Sequence, residues 1–250
     1  MSKAMRTRPS PNHDARPDGQ VIDIVLLHYT GMRSAADARK RLCDPASKVS
    51  AHYVIDEDGT VWALVDEAMR AWHAGTSSWC GATDINARSI GIELVNPGHE
   101  FGYRPFPEAQ MDALLALAGD VVARHNVPPA RVIGHSDVAP MRKEDPGEFF
   151  DWARLAKSGL GLWPAKDFTV SLHAPAIGPG SRGPAVLDLQ IALAAIGYGL
   201  EGTGAYDPAT EAAVRAFQRH FRQRLVDGVA DAETVSLAHH LAEISAGSPA

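Results

Sequence analysis

Residues 21–28 read V-I-D-I-V-L-L-H, an almost unbroken β-branched and aliphatic run of strand length. A run that does not alternate belongs to a strand covered on both faces, so it predicts a central strand with layers on either side. Outward from it, Ser34 followed by Asp37 makes a capping-box-like start for a helix to about Leu42, which Asp44-Pro45 ends. Residues 51–56 and 60–65 are short strand-like runs joined by E-D-G, which is hairpin chemistry. Residues 89–95 (S-I-G-I-E-L-V) form a further strand and 131–134 a short one. Pro107 opens a helix with Met111, Leu114, Leu115, Ala118, Val121 and Val122 at three-and-four spacing, closing near Asn126. A last short helix is expected over 148–156. Strands alternating with helices predict an α/β fold with one mixed central sheet flanked by helices.

From Lys157 to Pro184 the composition shifts to Gly, Pro, Ser and Ala, which reads as a flexible linker. Beyond it the periodicity is helical: Val186, Leu189, Leu193 and Ile196, then Val214, Phe217 and Phe221, then Val235, Ala238, Leu241 and Ile244. Two of these helices begin alike, with D-P-A-T at 207–210 and D-A-E-T at 231–234, aspartate being the expected N-cap. The expected organisation is an N-terminal extension (1–19), an α/β domain (20–160), a linker (161–181) and a small three-helix domain (182–246). A chain ending near Trp163 is expected to fold by itself.

A net charge of −6 with scattered Lys and Arg gives no nucleic-acid or anionic-membrane surface. No apolar run is long enough to span a membrane. The N-terminal Lys3, Arg6 and Arg8 precede a polar stretch without the apolar core of a signal peptide, so a protein starting at Met1 is expected in the cytoplasm. Cys43 and Cys80, with no ligand-spaced neighbours, are expected to be free thiols.

His28 ends the buried strand, and His135 follows R-V-I-G in the same way. Side chains at the ends of central strands point into clefts. Asp145 lies ten residues after His135, in R-K-E-D-P-G. Two histidines and a carboxylate leave a fourth tetrahedral position for water, which is how catalytic zinc is held. Spacing alone does not establish this, because ligands so far apart form no compact motif.

The segments V-L-L-H-Y-T (25–30), S-A-H-Y-V-I-D-E-D-G (50–59), A-W-H-A-G (71–75), N-A-R-S-I-G-I-E-L (86–94), V-I-G-H-S-D-V-A-P (132–140) and R-K-E-D-P-G (142–147) resemble, in order, the signatures of the type-2 N-acetylmuramoyl-L-alanine amidases. The resemblance implies His28, His135 and Asp145 as Zn²⁺ ligands, Glu93 as the acid/base carboxylate and Lys143 as the cation facing the reacting carbonyl. It implies hydrolysis of the bond between N-acetylmuramic acid, intact or 1,6-anhydro, and L-alanine. Residues 182–240 resemble, less specifically, three-helix peptidoglycan-binding modules. The implied partners are peptidoglycan or muropeptide fragments, taken up by a monomer. A wall-binding module favours the periplasm or cell envelope, against the cytoplasmic expectation.

Other residues divide between function and packing. A strand charge such as Glu93 is usually solvent-facing, but Gly91 and Val95 would then be exposed too. Lys143 would pass for a solvated loop charge without the K-x-D pattern. His52 reads as a residue of the cleft wall or behind a ligand. Trp72 and His73 suit a sugar or stem-peptide surface, or packing. Asn86 and Arg88 suit a stem-peptide carboxylate, with a turn role equally open for Asn86. His125, His173, His220, His239 and His240 have no partners at informative spacing. Two other functions compete: a non-catalytic peptidoglycan-recognition protein on the same fold, and a zinc peptidase acting on the stem peptide. The intact ligand set argues against the first, and the absence of H-E-x-x-H removes one large class of the second.

Overall fold

A computed structural model describes residues 5–171 and 176–247. Its main sheet has six strands in the order β1-β5-β4-β7-β3-β8. These are β1 (Arg6–Thr7), β3 (Ile24–Tyr29), β4 (Tyr53–Ile55), β5 (Val61–Ala63), β7 (Ser89–Leu94) and β8 (Val132–Gly134). β4 and β5 form the expected antiparallel hairpin, and the other neighbours are parallel. β2 (His13–Ala15) and β6 (Met69–Ala71) make a separate antiparallel pair. The helices are α1 (Ala35–Leu42), α2 (Ile85–Arg88), α3 (Gly98–Phe101), α4 (Glu108–His125), α5 (His135–Val138), α6 (Trp152–Lys157), α7 (Pro184–Ile196), α8 (Pro208–Phe221) and α9 (Ala232–Gly247). None is long and apolar enough to cross a membrane.

The run that opened the reading is indeed covered on both faces. Val25 and Leu27 join Ile90, Ile92 and Leu94 of β7 against Met111, Leu114, Ala118 and Val121 of α4. Gln110 of α4 donates to the carbonyls of Ile55 and Val95, fixing the helix over the strand ends. Ile24 and Leu26 face the other way, into a cluster that continues through Ile133, Trp79 and Ile85 into α7, α8 and α9. Ser34 caps α1 by accepting from the Asp37 N–H, and Asn126 ends α4 in the left-handed region. The expected helix over 148–156 is shorter and later, because Asp151 is its cap.

Two regions are more tightly integrated than composition suggested. In the N-terminal stretch Ser10 and Asn12 are buried, donating to carbonyls of Leu42, Asp44 and Val49. Arg16 donates to the carbonyls of Glu67, Asn86, Ala87 and Ser89. The three C-terminal helices pack directly on the α/β domain instead of hanging from a loose tether. A Cβ on Gly197 would lie 2.3 Å from the Trp79 ring and one on Gly199 2.1 Å from Ser78 Oγ, so these glycines permit the close approach. The segment before α7 is tied to α9 by the Ala165 N–H donating to His240 and the Ser171 N–H to Ser236. Cys43 and Cys80 are free. His173 lies outside the described residues.

Candidate active site

Parallel pairing sets the site. β3 and β7 align with His28 opposite Glu93, and β8 ends where His135 begins α5, so all three side chains leave the carboxyl edge of one sheet. On β7, alternation puts Ile90, Ile92 and Leu94 on the α4 side and Gly91 and Glu93 on the other. His28 is 1% exposed, His135 3% and Asp145 5%. His28 Nδ1, His135 Nδ1 and Asp145 Oδ2 lie 2.9 to 3.0 Å from one another. Three buried donor atoms of these types, converging on one point, form a grouping that can hold a metal ion.

The protonation pattern around them is consistent with that use. Burial, reinforced by the neighbouring His135, lowers His28 to about 4, so its ring is neutral and offers a lone pair. Burial by itself would raise Asp145, but His135 and His28 outweigh it and hold the carboxyl well below the usual range. Were both Nδ1 atoms to offer their lone pairs to a metal, each ring would carry its proton on Nε2. His135 Nε2 donates to the Ala74 carbonyl at 3.0 Å. With a metal on His28 Nδ1, His28 Nε2 would donate to His73 Nδ1 at 3.1 Å and His73 Nε2 to Ser89 Oγ at 3.3 Å, while Ser89 Oγ donates to the Ile85 carbonyl at 2.6 Å. Outer partners of this kind fix tautomer and ring orientation.

The cleft above, about 500 Å³, is lined by His28, Tyr29, Trp72, His73, Glu93, His135, Lys143 and Asp145, among others. Glu93 Oε2 is shielded from solvent and has no hydrogen-bond partner among the described residues. Burial, then the charge of Asp145, pushes the Glu93 carboxyl well above its ordinary value, with Lys143 opposing.

The N-acetylmuramoyl-L-alanine amidase family model matches residues 18–148, and a peptidoglycan binding domain family matches 182–237. AmiD of Escherichia coli, an N-acetylmuramoyl-L-alanine amidase, is 38% identical over 89% of this chain and 83% of its own. The chain belongs to the N-acetylmuramoyl-L-alanine amidase family. The structure of AmiD with anhydro-N-acetylmuramic acid-L-Ala-D-γ-Glu-L-Lys superposes with TM-score 0.77 at 36% identity, covering 92% of both chains. AmpDh3 of Pseudomonas aeruginosa, solved with an anhydromuramic pentapeptide, gives TM-score 0.77 at 31% identity over 91% of this chain and 94% of that one.

Within this amidase, the expected site residues fall into two groups. His28, His135, Asp145, Glu93, Lys143, Trp72 and His73 share the cleft. His52, Asn86 and Arg88 do not line it. His52 is fully buried, its Nδ1 accepting from the Gly91 N–H and its Nε2 facing the Met69 carbonyl; burial, then Arg16, lowers its pKa to about 3. Asn86 Oδ1 accepts from the N–H groups of His73 and Ala74, so it shapes the loop that orients both imidazoles. Arg88 forks onto Asp23, which Arg131 also reaches. Asn86 and Arg88 lie on the short helix α2 and His52 just before β4, so strand alternation does not place any of the three.

The amidase cleft also contains Arg41 and Glu100, which the sequence reading passed over. Arg41 sits one turn along α1 from Ala38, itself in the cleft lining, so helical spacing was the available signal. Asp137, buried in α5 two residues after His135, was likewise missed. Its Oδ2 accepts from the Gly134 N–H, capping the turn that presents His135.

Proposed function

We propose that this amidase uses zinc to hydrolyse the bond between the lactyl carbonyl of N-acetylmuramic acid and L-alanine, acting on soluble 1,6-anhydro-muropeptides. The observation that carries the metal is the convergence of His28 Nδ1, His135 Nδ1 and Asp145 Oδ2 to within about 3.0 Å in a buried pocket under Glu93. Bound there, zinc would act as a Lewis acid and bring the pKa of water from about 15.7 toward about 7. Glu93, with an unpartnered oxygen beside His28, takes the proton of the attacking water and returns it to the departing L-alanine amine. Both acts are needed because an unprotonated amine is a poor leaving group. A raised carboxyl pKa suits the delivery half of that cycle. Lys143 faces the carbonyl oxygen as negative charge develops there. Trp72 and His73 form the wall against which the sugar or first peptide residues lie.

The anhydro form is favoured because relatives over the full length were solved with anhydromuramic ligands. AmpD of Haemophilus influenzae, named a 1,6-anhydro-N-acetylmuramyl-L-alanine amidase, is 32% identical over 60% of this chain and 89% of its own. The helices after residue 182 are proposed to contact peptidoglycan. Metal content tests the site: the purified protein should hold one zinc per chain, and His28→Ala, His135→Ala and Asp145→Ala should each lose it. Stoichiometric zinc in any of the three would remove that residue from the ligand set.

A further inference from the structure

Asp137 is fully buried, and a buried carboxylate must be satisfied by donors. Within its own domain it accepts from the Gly134 N–H at 2.8 Å. The other two donors come from the helical domain: Tyr198 Oη at 2.7 Å and His220 Nδ1 at 2.8 Å. His220 is clamped between Trp152 and Phe221, with ring centroids 3.7 and 3.9 Å away. Gly134 is packed so tightly that a Cβ would lie 2.7 Å from Pro146, the neighbour of Asp145. The same helix, α8, reaches the second ligand-bearing loop, where Arg219 pairs with Glu144 at 2.6 Å; just beyond its end, Gln223 donates to the Phe150 carbonyl.

We infer that the helical domain is part of the scaffold of the hydrolytic site, with Tyr198 and His220 as positioning residues that hold Asp137 and, through it, the β8–α5 corner presenting His135. A wall-binding module alone would have no need to place two donors on a buried carboxylate two residues from a ligand. The inference rests on His135 being a metal ligand.

The test uses the full chain, with Tyr198→Phe, His220→Ala and His220→Asn. Asparagine keeps a donor near the position of Nδ1. Zinc affinity is read by competition with a chromogenic chelator, kcat and KM on a soluble anhydro-muropeptide, and binding to sacculi by sedimentation. Tyr198→Phe and His220→Ala should each weaken zinc about 10-fold, in the range of lost outer-shell partners. They should lower kcat with KM and sacculus binding unchanged, and His220→Asn should restore most of the zinc affinity. Wild-type zinc affinity and kcat in both Tyr198→Phe and His220→Ala, or a loss confined to sacculus binding, would overturn the inference. Should His220→Ala not fold, Tyr198→Phe removes only a hydroxyl and decides by itself. A His135→Ala control that keeps its zinc would sink the ligand assignment instead, a result distinct from either.

Discussion

The rings of His28 and His73 meet edge-on with centroids 5.1 Å apart, and His28 Nε2 lies 3.1 Å from His73 Nδ1. His73 therefore lines the cleft and is also placed to hold the imidazole of His28, the proposed ligand, in one tautomer. His73→Ala should weaken zinc about 10- to 100-fold. A chelator titration giving unchanged affinity would return His73 to the cleft wall alone.

Gly91 makes that arrangement possible. A Cβ there would sit 2.5 Å from the His73 ring, and ring and strand cannot both stay in place. Gly91→Ala should thus reproduce the loss of zinc affinity predicted for His73→Ala, with a destabilisation of about 1–3 kcal/mol from overpacking. Chemical denaturation together with zinc titration checks both, and normal zinc binding in a folded Gly91→Ala protein would contradict the packing argument.

Glu93→Gln keeps shape and leaves the ligands untouched, but cannot shuttle a proton. Turnover on a soluble muropeptide should fall by about 10²–10⁴ with zinc content unchanged. Near-normal kcat would take Glu93 out of the chemistry.

Away from the cleft, Glu67 gathers Tyr53 Oη at 2.7 Å, Arg124 Nη2 at 2.7 Å and His125 Nε2 at 2.6 Å, tying the end of α4 to β4. Burial by itself would raise its pKa, but these partners bring it from 4.5 to about 2. A carboxyl lowered on folding contributes stability above its unfolded pKa and loses it as pH falls, here between about 4.5 and about 2. Discounted for partial exposure, the contribution is about 1–2 kcal/mol at neutral pH. Glu67→Gln should lower the urea midpoint at pH 7 and narrow its gap to wild type by pH 3. A gap constant across that range would contradict the ionic reading.

Legibility followed the strength of local pattern. β3 and α4 carry long periodic signals, and both form where the run at 21–28 and the apolar stripe after Pro107 predict. β1, β2 and β6 are two or three residues long and owe their existence to partners far along the chain, which no local pattern encodes. The two histidines at strand ends were readable as cleft residues, whereas bringing Asp145 to them depends on the turn of α5 and the irregular segment after it. The seating of the helical domain was hidden for a similar reason. Gly197 and Gly199 follow α7, and nothing in the local sequence marks that Trp79 and Ser78 press against them.

The most direct test of the zinc amidase reading is mass analysis of an anhydro-N-acetylmuramyl tripeptide incubated with zinc-loaded protein, with chelator-treated protein, and after zinc is restored. Free anhydro-N-acetylmuramic acid and a peptide with a free L-alanine amine should appear in the first and third incubations and not in the second. Cleavage within the peptide, or equal yields of the expected products with and without zinc, would contradict it.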